Sequence, residues 1–104
     1  MHIQTPGKMG SLILILAVAA FPLTAQSTAD LGKGKQLFLG MCSRCHGVTG
    51  GGGEGPNLDR HVLTRANTDE ELMVIIRDGI PDRGMPRIRR LTDTELHSLV
   101  GYVR

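Results

Sequence analysis

The chain of 104 residues contains no tryptophan, one tyrosine and two phenylalanines, and only two of its residues are cysteines. Two cysteines cannot form the several disulfides that stabilise many small secreted domains. The length excludes a two-domain enzyme, and the plentiful aliphatic residues with nearly balanced charge argue against a disordered chain. A net charge of only +2, without an aromatic-rich basic patch, gives no indication of nucleic-acid binding.

An uncharged apolar run spans residues 12–21 near the N-terminus. Its length matches the apolar core of a secretory signal, whereas a membrane-spanning helix needs about 20 residues. We therefore predict a signal peptide over residues 1–25, cleaved after Ala25 or alternatively after Ala29, and a periplasmic domain of residues 30–104. An uncleaved membrane anchor is the alternative. Cleavage after Ala25 removes Lys8 and no acidic residue, so the net charge of the remaining chain falls from +2 to +1.

A domain as small as residues 30–104 rarely folds on its apolar core alone, and natural examples add a metal, a cofactor or disulfides. The sequence offers such a group at residues 42–46, which read Cys-Ser-Arg-Cys-His. In a helix, Cys42, Cys45 and His46 share one face. Two thiols can then form thioethers with the vinyl groups of one haem while the imidazole ligates its iron. This motif is typical of covalent attachment of haem c.

Three other interpretations of the motif are weaker. A thioredoxin-like redox pair requires a βαβ setting, and no strand pattern surrounds Cys42 and Cys45. A structural zinc site requires four ligands, and the motif with His46 supplies three. A disulfide that closes so short a loop would stabilise little.

The iron of such a haem needs a second axial ligand, and Met85 is the predicted one. It lies in residues 79–86, where glycine and proline on both sides indicate an ordered loop. Pro86 stiffens the chain beside the thioether, and sulfur is a soft ligand that raises the reduction potential. The competing candidates are His61 and Met73, with Met41 and His97 less suited.

The segment after the motif contains four consecutive glycines at residues 50–53, followed by Pro56. The glycine tract either wraps the edge of the haem or is a flexible loop. The carbonyl of Pro56 is predicted to accept the free N–H of His46, as partners of metal-bound histidines commonly do.

Helical patterns account for most of the remaining domain, and no strand pattern is present. Residues 30–46 have apolar residues at helical spacing. Two further helices begin with capping boxes, at Thr68–Glu71 and at Thr92–Glu95, and the first of them ends at Gly79. The fold is therefore predicted to be all-α.

The first and last helices are expected to cross. Repeated glycines in the first helix weaken it by about 1 kcal/mol each relative to alanine, and a close approach of another helix at Gly34 would explain one of them. We expect Tyr102 or Val103 of the last helix to lie near Gly34 and Phe38.

From about residue 32 to the end, the chain resembles the class I monohaem cytochromes c, of the short bacterial periplasmic kind. The matching segments are Gly34…Phe38, Cys42–Gly47, Gly55–Leu58, Ile76–Ile80, Gly84–Pro86 and Leu99–Val103. The resemblance implies three to four helices around one covalently bound haem, crossed N- and C-terminal helices, His46 as the proximal ligand and Met85 as the distal ligand.

The chain departs from the family in two respects. Arg87-Ile88-Arg89-Arg90 follows the Met-Pro pair, where the family often has an apolar or aromatic residue. There is also no tryptophan to bond a haem propionate, which leaves Arg60, Arg65 or an arginine of the Met85 loop as candidates.

The predicted function is transfer of single electrons between periplasmic redox proteins such as a dehydrogenase and a terminal oxidase, without enzymatic activity or a small-molecule substrate. Two axial ligands leave no open iron site, and the protein supplies binding and tuning. A dedicated electron-accepting subunit of one dehydrogenase is the main alternative, and a haem sensor or peroxidase-like protein is a further one. A basic cluster is expected to dock acidic partners; it consists of Arg83, Arg87, Arg89 and Arg90.

Overall fold

The computed structural model describes residues 2–4, 7, 10–20 and 27–104. The helices are α1 (Thr28–Met41), α2 (Ser43–His46), α3 (Asp69–Asp78) and α4 (Asp93–Val103), with a 3-10 turn at Pro81–Arg83. Over these described ranges the chain forms no strand beyond two isolated bridges, Leu63 to Ala66 and Ile80 to Met85. The prediction of an all-α fold is confirmed.

Helices α3 and α4 begin at the two predicted capping boxes. The Thr68 hydroxyl accepts the backbone N–H of Glu71 at 3.1 Å, and the Glu71 carboxylate accepts the N–H of Thr68 at 3.2 Å. Thr92 and Glu95 repeat this arrangement at 3.1 and 3.0 Å. Each box satisfies backbone donors that a helix start otherwise leaves unpaired.

Helix α1 begins earlier than the predicted domain start at residue 30. Its first residue is Thr28, and Ser27 is its N-cap. The Ser27 hydroxyl accepts the N–H of Asp30 at 3.1 Å, and the Asp30 carboxylate accepts the N–H of Ser27 at 3.3 Å. A third capping box therefore spans the second predicted cleavage position, after Ala29. The predicted cleavage after Ala25 itself falls outside the described residues.

The helical pattern predicted for residues 30–46 corresponds to two helices, α1 and α2, which are separated at Cys42. The Ser43 hydroxyl donates to the carbonyl oxygen of Leu39 at 2.7 Å. A side-chain bond of this kind competes with the backbone ladder at the same turn. The attachment motif therefore lies on a short helix of its own, with Cys42 at the N-cap.

Helices α1 and α4 cross at Gly34, as predicted. A Cβ atom at Gly34 would lie 2.7 Å from the carbonyl carbon of Ser98 and 2.8 Å from Cβ of Tyr102. The rings of Phe38 and Tyr102 have centroids 5.5 Å apart in a tilted arrangement, which is a favourable aromatic geometry. Around this crossing the apolar core consists of Phe38, Leu63, Ala66, Leu72, Ile76, Leu96, Leu99 and Val100.

Ion pairs join the helices at the surface. Lys33 of α1 lies 3.5 Å from Glu95 of α4, and Arg77 of α3 pairs with Asp93 of α4. Arg104 follows α4 and donates to the Thr68 carbonyl oxygen at 2.8 Å, which ties the end of α4 to the start of α3. Exposed ion pairs contribute little free energy individually. The packing of the helices therefore depends mainly on the apolar core.

Residues 10–20 lie outside this packed domain. Their side chains are exposed, including Leu12 and Ile15, and no helix forms there. Among the described residues, no helix is both long enough and apolar enough to cross a bilayer.

Candidate functional site

The attachment motif is carried by α2 and by the junction that precedes it. Cys42 and Cys45 are half-buried, and His46 is buried with 9% of its surface exposed. Burial raises the pKa of the Cys42 thiol above its ordinary value of 9.0, so this thiol is neutral near pH 7. The Cys45 thiol points toward Glu54, with Sγ 3.8 Å from Oε2.

The imidazole of His46 is held by one of its two ring nitrogens. Nδ1 lies 2.9 Å from the carbonyl oxygen of Pro56, the predicted partner. Among the described residues, Nε2 has no hydrogen-bond partner. Every fully buried side-chain nitrogen or oxygen of these residues does have a partner. Nε2 is therefore not fully buried. A neutral imidazole that donates from Nδ1 to a carbonyl presents the lone pair of Nε2 to a metal.

The glycine-rich segment 47–55 folds back onto α2. The N–H groups of Gly47, Gly52 and Gly55 donate to the carbonyl oxygens of Ser43, His46 and Cys45 at 2.8, 2.7 and 2.7 Å. The segment thus satisfies carbonyls that the end of a helix leaves unpaired. The sequence does not distinguish this ordered segment from a flexible loop, because its one signal is the run of glycines at residues 50–53.

Met85 lies at the closing position of a tight loop. Its backbone forms two hydrogen bonds with Ile80, at 2.9 and 3.1 Å, which enclose the 3-10 turn. Gly79 precedes this loop with φ of 64°, and a Cβ there would lie 2.6 Å from the carbonyl oxygen of Met85. Glycine is therefore required at this position. Met85 is half-buried and packs against the same core cluster as Cys42.

The competing ligand candidates have other environments. Met73 is half-buried on α3 and packs against the core. His97 is exposed, and its Nδ1 lies 2.7 Å from the carbonyl oxygen of Asp93. His61 is exposed and lines a cleft of about 280 Å³ that contains neither the cysteines nor His46 nor Met85. This cleft is lined by Leu58, Asp59, Arg60, His61, Leu63, Val103 and Arg104.

The four arginines around Met85 are all exposed. Arg89 lies 3.8 Å from Asp78 in an exposed ion pair. Arg83, Arg87 and Arg90 form no ion pair within the part of the chain that the structure describes. Of the candidates for a propionate partner, Arg60 lines the cleft and Arg65 does not.

Comparison with known proteins places this helical arrangement among the c-type cytochromes. The family profile described as "Cytochrome C oxidase, cbb3-type, subunit III" matches residues 29–103. Cytochrome c55X of Stutzerimonas stutzeri is 35% identical over 85 residues, which cover 81% of this chain and 70% of that protein.

Two solved structures share the fold. Cytochrome cL of the marine methylotrophic bacterium Methylophaga aminisulfidivorans MPT superposes with a TM-score of 0.67 at 30% identity, over 76% of this chain. Cytochrome cL of Hyphomicrobium denitrificans gives a TM-score of 0.65 at 30% identity, over 71% of this chain. The chain spans 56% and 45% of the lengths of these two cytochromes.

The fold and the site define a monohaem c-type cytochrome, a class whose chemistry is haem-based electron transfer. The chain belongs to the cytochrome c family whose profile carries the name of cbb3-type oxidase subunit III. Its cofactor is haem c, and Cys42 and Cys45, the only cysteines of the sequence, attach it covalently. The open Nε2 of His46 and the half-buried sulfur side chain of Met85 are donors suited to haem iron, so the residues fit the group.

Proposed function

We propose that this protein is a periplasmic carrier of single electrons, with His46 and Met85 as the axial ligands of its haem and no enzymatic activity of its own. The observation that carries the proposal is the His46 ring, which binds the Pro56 carbonyl through Nδ1 and leaves Nε2 free. The bound haem supplies the one-electron chemistry. The protein orients it, excludes water and tunes its potential.

The loop of Met85 supports a role as the second ligand. The paired backbones of Ile80 and Met85 and the close approach of Gly79 hold the methionine in one position. A ligand that is already positioned loses little conformational entropy when it binds. If His46 and Met85 both ligate the iron, no coordination site would remain for a substrate, which favours a carrier over an enzyme or a gas sensor.

The test of this ligand set is Met85→Ala, with Met73→Leu as the control. Loss of the thioether should lower the reduction potential and let the ferrous protein bind carbon monoxide, while the haem stays attached. Met73→Leu conserves volume in the core and should leave both properties unchanged. An unchanged potential in Met85→Ala, or a lowered one in Met73→Leu, would remove Met85 from the proposed role.

We further propose that the basic cluster around Met85 docks acidic redox partners. Arg83, Arg87 and Arg90 are exposed and have no ion-pair partner among the described residues, so their charges are available to another protein. They lie within five residues of the proposed ligand in the sequence, which supports a position near the route by which electrons would enter or leave. Clustered charge of one sign accelerates association and makes it dependent on salt.

This docking proposal can be tested on an electrode coated with a carboxylate-terminated monolayer. Arg87→Gln/Arg90→Gln should reduce adsorption and the rate of electron exchange at low salt by several-fold, because surface charge steers association. Lys33→Gln/Lys35→Gln changes the net charge equally at exposed positions of α1 and should have a smaller effect. Equal effects of the two double variants would show that only total charge matters.

The N-terminal segment is proposed to direct export and then be removed. The exposed apolar side chains of residues 12–18 have no place in the domain core, and large exposed apolar patches otherwise favour association. Cleavage after Ala25 would keep the Ser27 cap of α1, whereas cleavage after Ala29 would remove it. The mass of the exported protein distinguishes the two positions, and an uncleaved anchor would leave residues 1–25 in place.

A diffusible carrier and a dedicated dehydrogenase subunit differ in the lifetime of their complexes. We favour the carrier, because the proposed docking surface is charged rather than apolar, which is typical of transient partners. The protein should then purify alone. Stoichiometric co-purification with a dehydrogenase at high salt would identify the subunit instead.

A further inference from the structure

We propose that Gly55 is a positioning residue for the haem: its missing side chain lets the loop lie directly against the His46 ring and so fixes the orientation of that imidazole. The inference rests on the proposed role of His46 as an axial ligand. It assigns a function to a glycine that makes no contact of its own with the iron.

The space at Gly55 is already filled by the histidine. A Cβ atom at this position would lie 2.9 Å from both Nδ1 and Cε1 of His46, and 3.3 Å from the carbonyl oxygen of Cys45. Carbon atoms in contact prefer about 3.5–4.0 Å. A methyl group at residue 55 would therefore meet the edge of the ring itself.

The requirement for glycine at residue 55 is spatial rather than conformational. The glycines with positive φ are Gly47, Gly50, Gly52, Gly79 and Gly84. Gly55 is not among them, so its backbone conformation is open to other residues. The atoms nearest to a Cβ at this position belong to the imidazole and to the Cys45 carbonyl oxygen, and they exclude a side chain there.

Neither side of this contact can withdraw freely. The N–H of Gly55 donates to the Cys45 carbonyl oxygen at 2.7 Å, which holds the loop on α2. The next residue is Pro56, whose carbonyl oxygen holds Nδ1 of the ring. Iron bound at Nε2 would restrain the opposite side of the imidazole. An added methyl group must therefore rotate the ring or displace the Pro56 carbonyl.

A displaced carbonyl and a rotated ring would each change a measurable property of the haem iron. A carbonyl that accepts from Nδ1 makes the imidazole a more basic ligand, which stabilises ferric iron. A longer bond to Pro56 should raise the reduction potential, and a rotated ring should change the electron paramagnetic resonance g-values of the ferric protein.

Two neighbouring glycines provide matched controls for Gly55→Ala in the haem-loaded protein. A Cβ at Gly53 would lie 2.9 Å from the Cys45 carbonyl oxygen, but no atom of His46 lies within 4 Å of it. Gly53→Ala therefore disturbs the packing of the same loop without touching the ring. A Cβ at Gly51 would meet only Thr49 Oγ1 at 3.4 Å, so Gly51→Ala should leave the protein unchanged.

The three variants are compared by g-values, reduction potential and midpoint of guanidinium unfolding. We expect Gly55→Ala and Gly53→Ala both to unfold at lower denaturant, and only Gly55→Ala to shift the g-values and raise the potential. Wild-type g-values and potential in Gly55→Ala, or equal shifts in Gly53→Ala, would overturn the inference.

Two further outcomes are decided by the same samples. If Gly55→Ala yields no haem-bearing protein while Gly53→Ala does so at wild-type yield, the constraint at the ring is supported, and equal losses overturn it. If the wild-type protein itself lacks the spectrum of a low-spin haem with nitrogen and sulfur ligands, the proposed function fails. If the wild-type protein has that spectrum and Gly55→Ala changes neither the g-values nor the reduction potential, only the inference about Gly55 is refuted.

Discussion

Replacement of Gly34 by alanine should destabilise the protein, although alanine is the better helix former. The substitution gains about 1 kcal/mol of helix propensity in α1. The new Cβ would lie 2.7 Å from the carbonyl carbon of Ser98 and 2.8 Å from Cβ of Tyr102. Overpacking costs about 1–3 kcal/mol, and the upper end applies because the backbone of α4 cannot rotate away. The net loss is then about 2 kcal/mol.

Gly40 of the same helix provides the control, because no atom lies within 4 Å of a Cβ built there. Gly40→Ala should stabilise the protein by about 1 kcal/mol. At about 4–8 °C per kcal/mol for a domain of this size, the midpoints should move in opposite directions. Thermal and guanidinium unfolding of the haem-loaded proteins, followed by circular dichroism, measures both. A Gly34→Ala variant as stable as Gly40→Ala would refute the crossing as the reason for this glycine.

Two other predictions concern the cofactor and the response to acid. Cys42→Ala/Cys45→Ala should carry no covalent haem and lose most of its far-ultraviolet helical signal, because the haem is part of the core; full helicity without haem would contradict this. The hydrogen bond from the Thr92 backbone N–H, with Lys33 nearby, holds the pKa of Glu95 below its ordinary value of 4.5. This stabilisation is present above pH 4.5 and is lost as the pH falls through the lowered pKa. In acid titrations of unfolding, Glu95→Gln should lose less stability than the wild type below pH 4.5. Glu70→Gln, at an exposed position of α3, is the control; identical acid slopes of Glu95→Gln and the wild type would argue against the prediction.

Features with a local cause could be predicted from the sequence. The capping boxes of α3 and α4 each involve residues three positions apart, and both are present where they were expected. The crossing of α1 and α4 was also predictable, because a glycine weakens a helix unless a neighbouring segment must approach it closely. Its position at Gly34, with Tyr102 as neighbour, agrees with the structure.

Other features could not be predicted from the sequence, because they depend on which groups come together in the folded chain. The separation of α1 and α2 at Cys42 coincides with a hydrogen bond from the Ser43 hydroxyl to the Leu39 carbonyl oxygen, and a serine four residues after a leucine does not by itself predict such a break. The role of the glycine tract depends on which carbonyls lie opposite it, and those are visible only once α2 and the loop are folded together. The Ser27 cap was not predicted, because it lies between the predicted signal peptide of residues 1–25 and the predicted domain start at residue 30.

The partners of His46 have a consequence for biogenesis. Every hydrogen bond that seats the ring and closes the end of α2 comes from residues 42–58, one uninterrupted stretch of chain. Contacts of such short separation form quickly and need no distant segment. If the protein is exported as proposed, the part of the haem site that bears the thiols could therefore fold before the segment that carries Met85 has crossed the membrane.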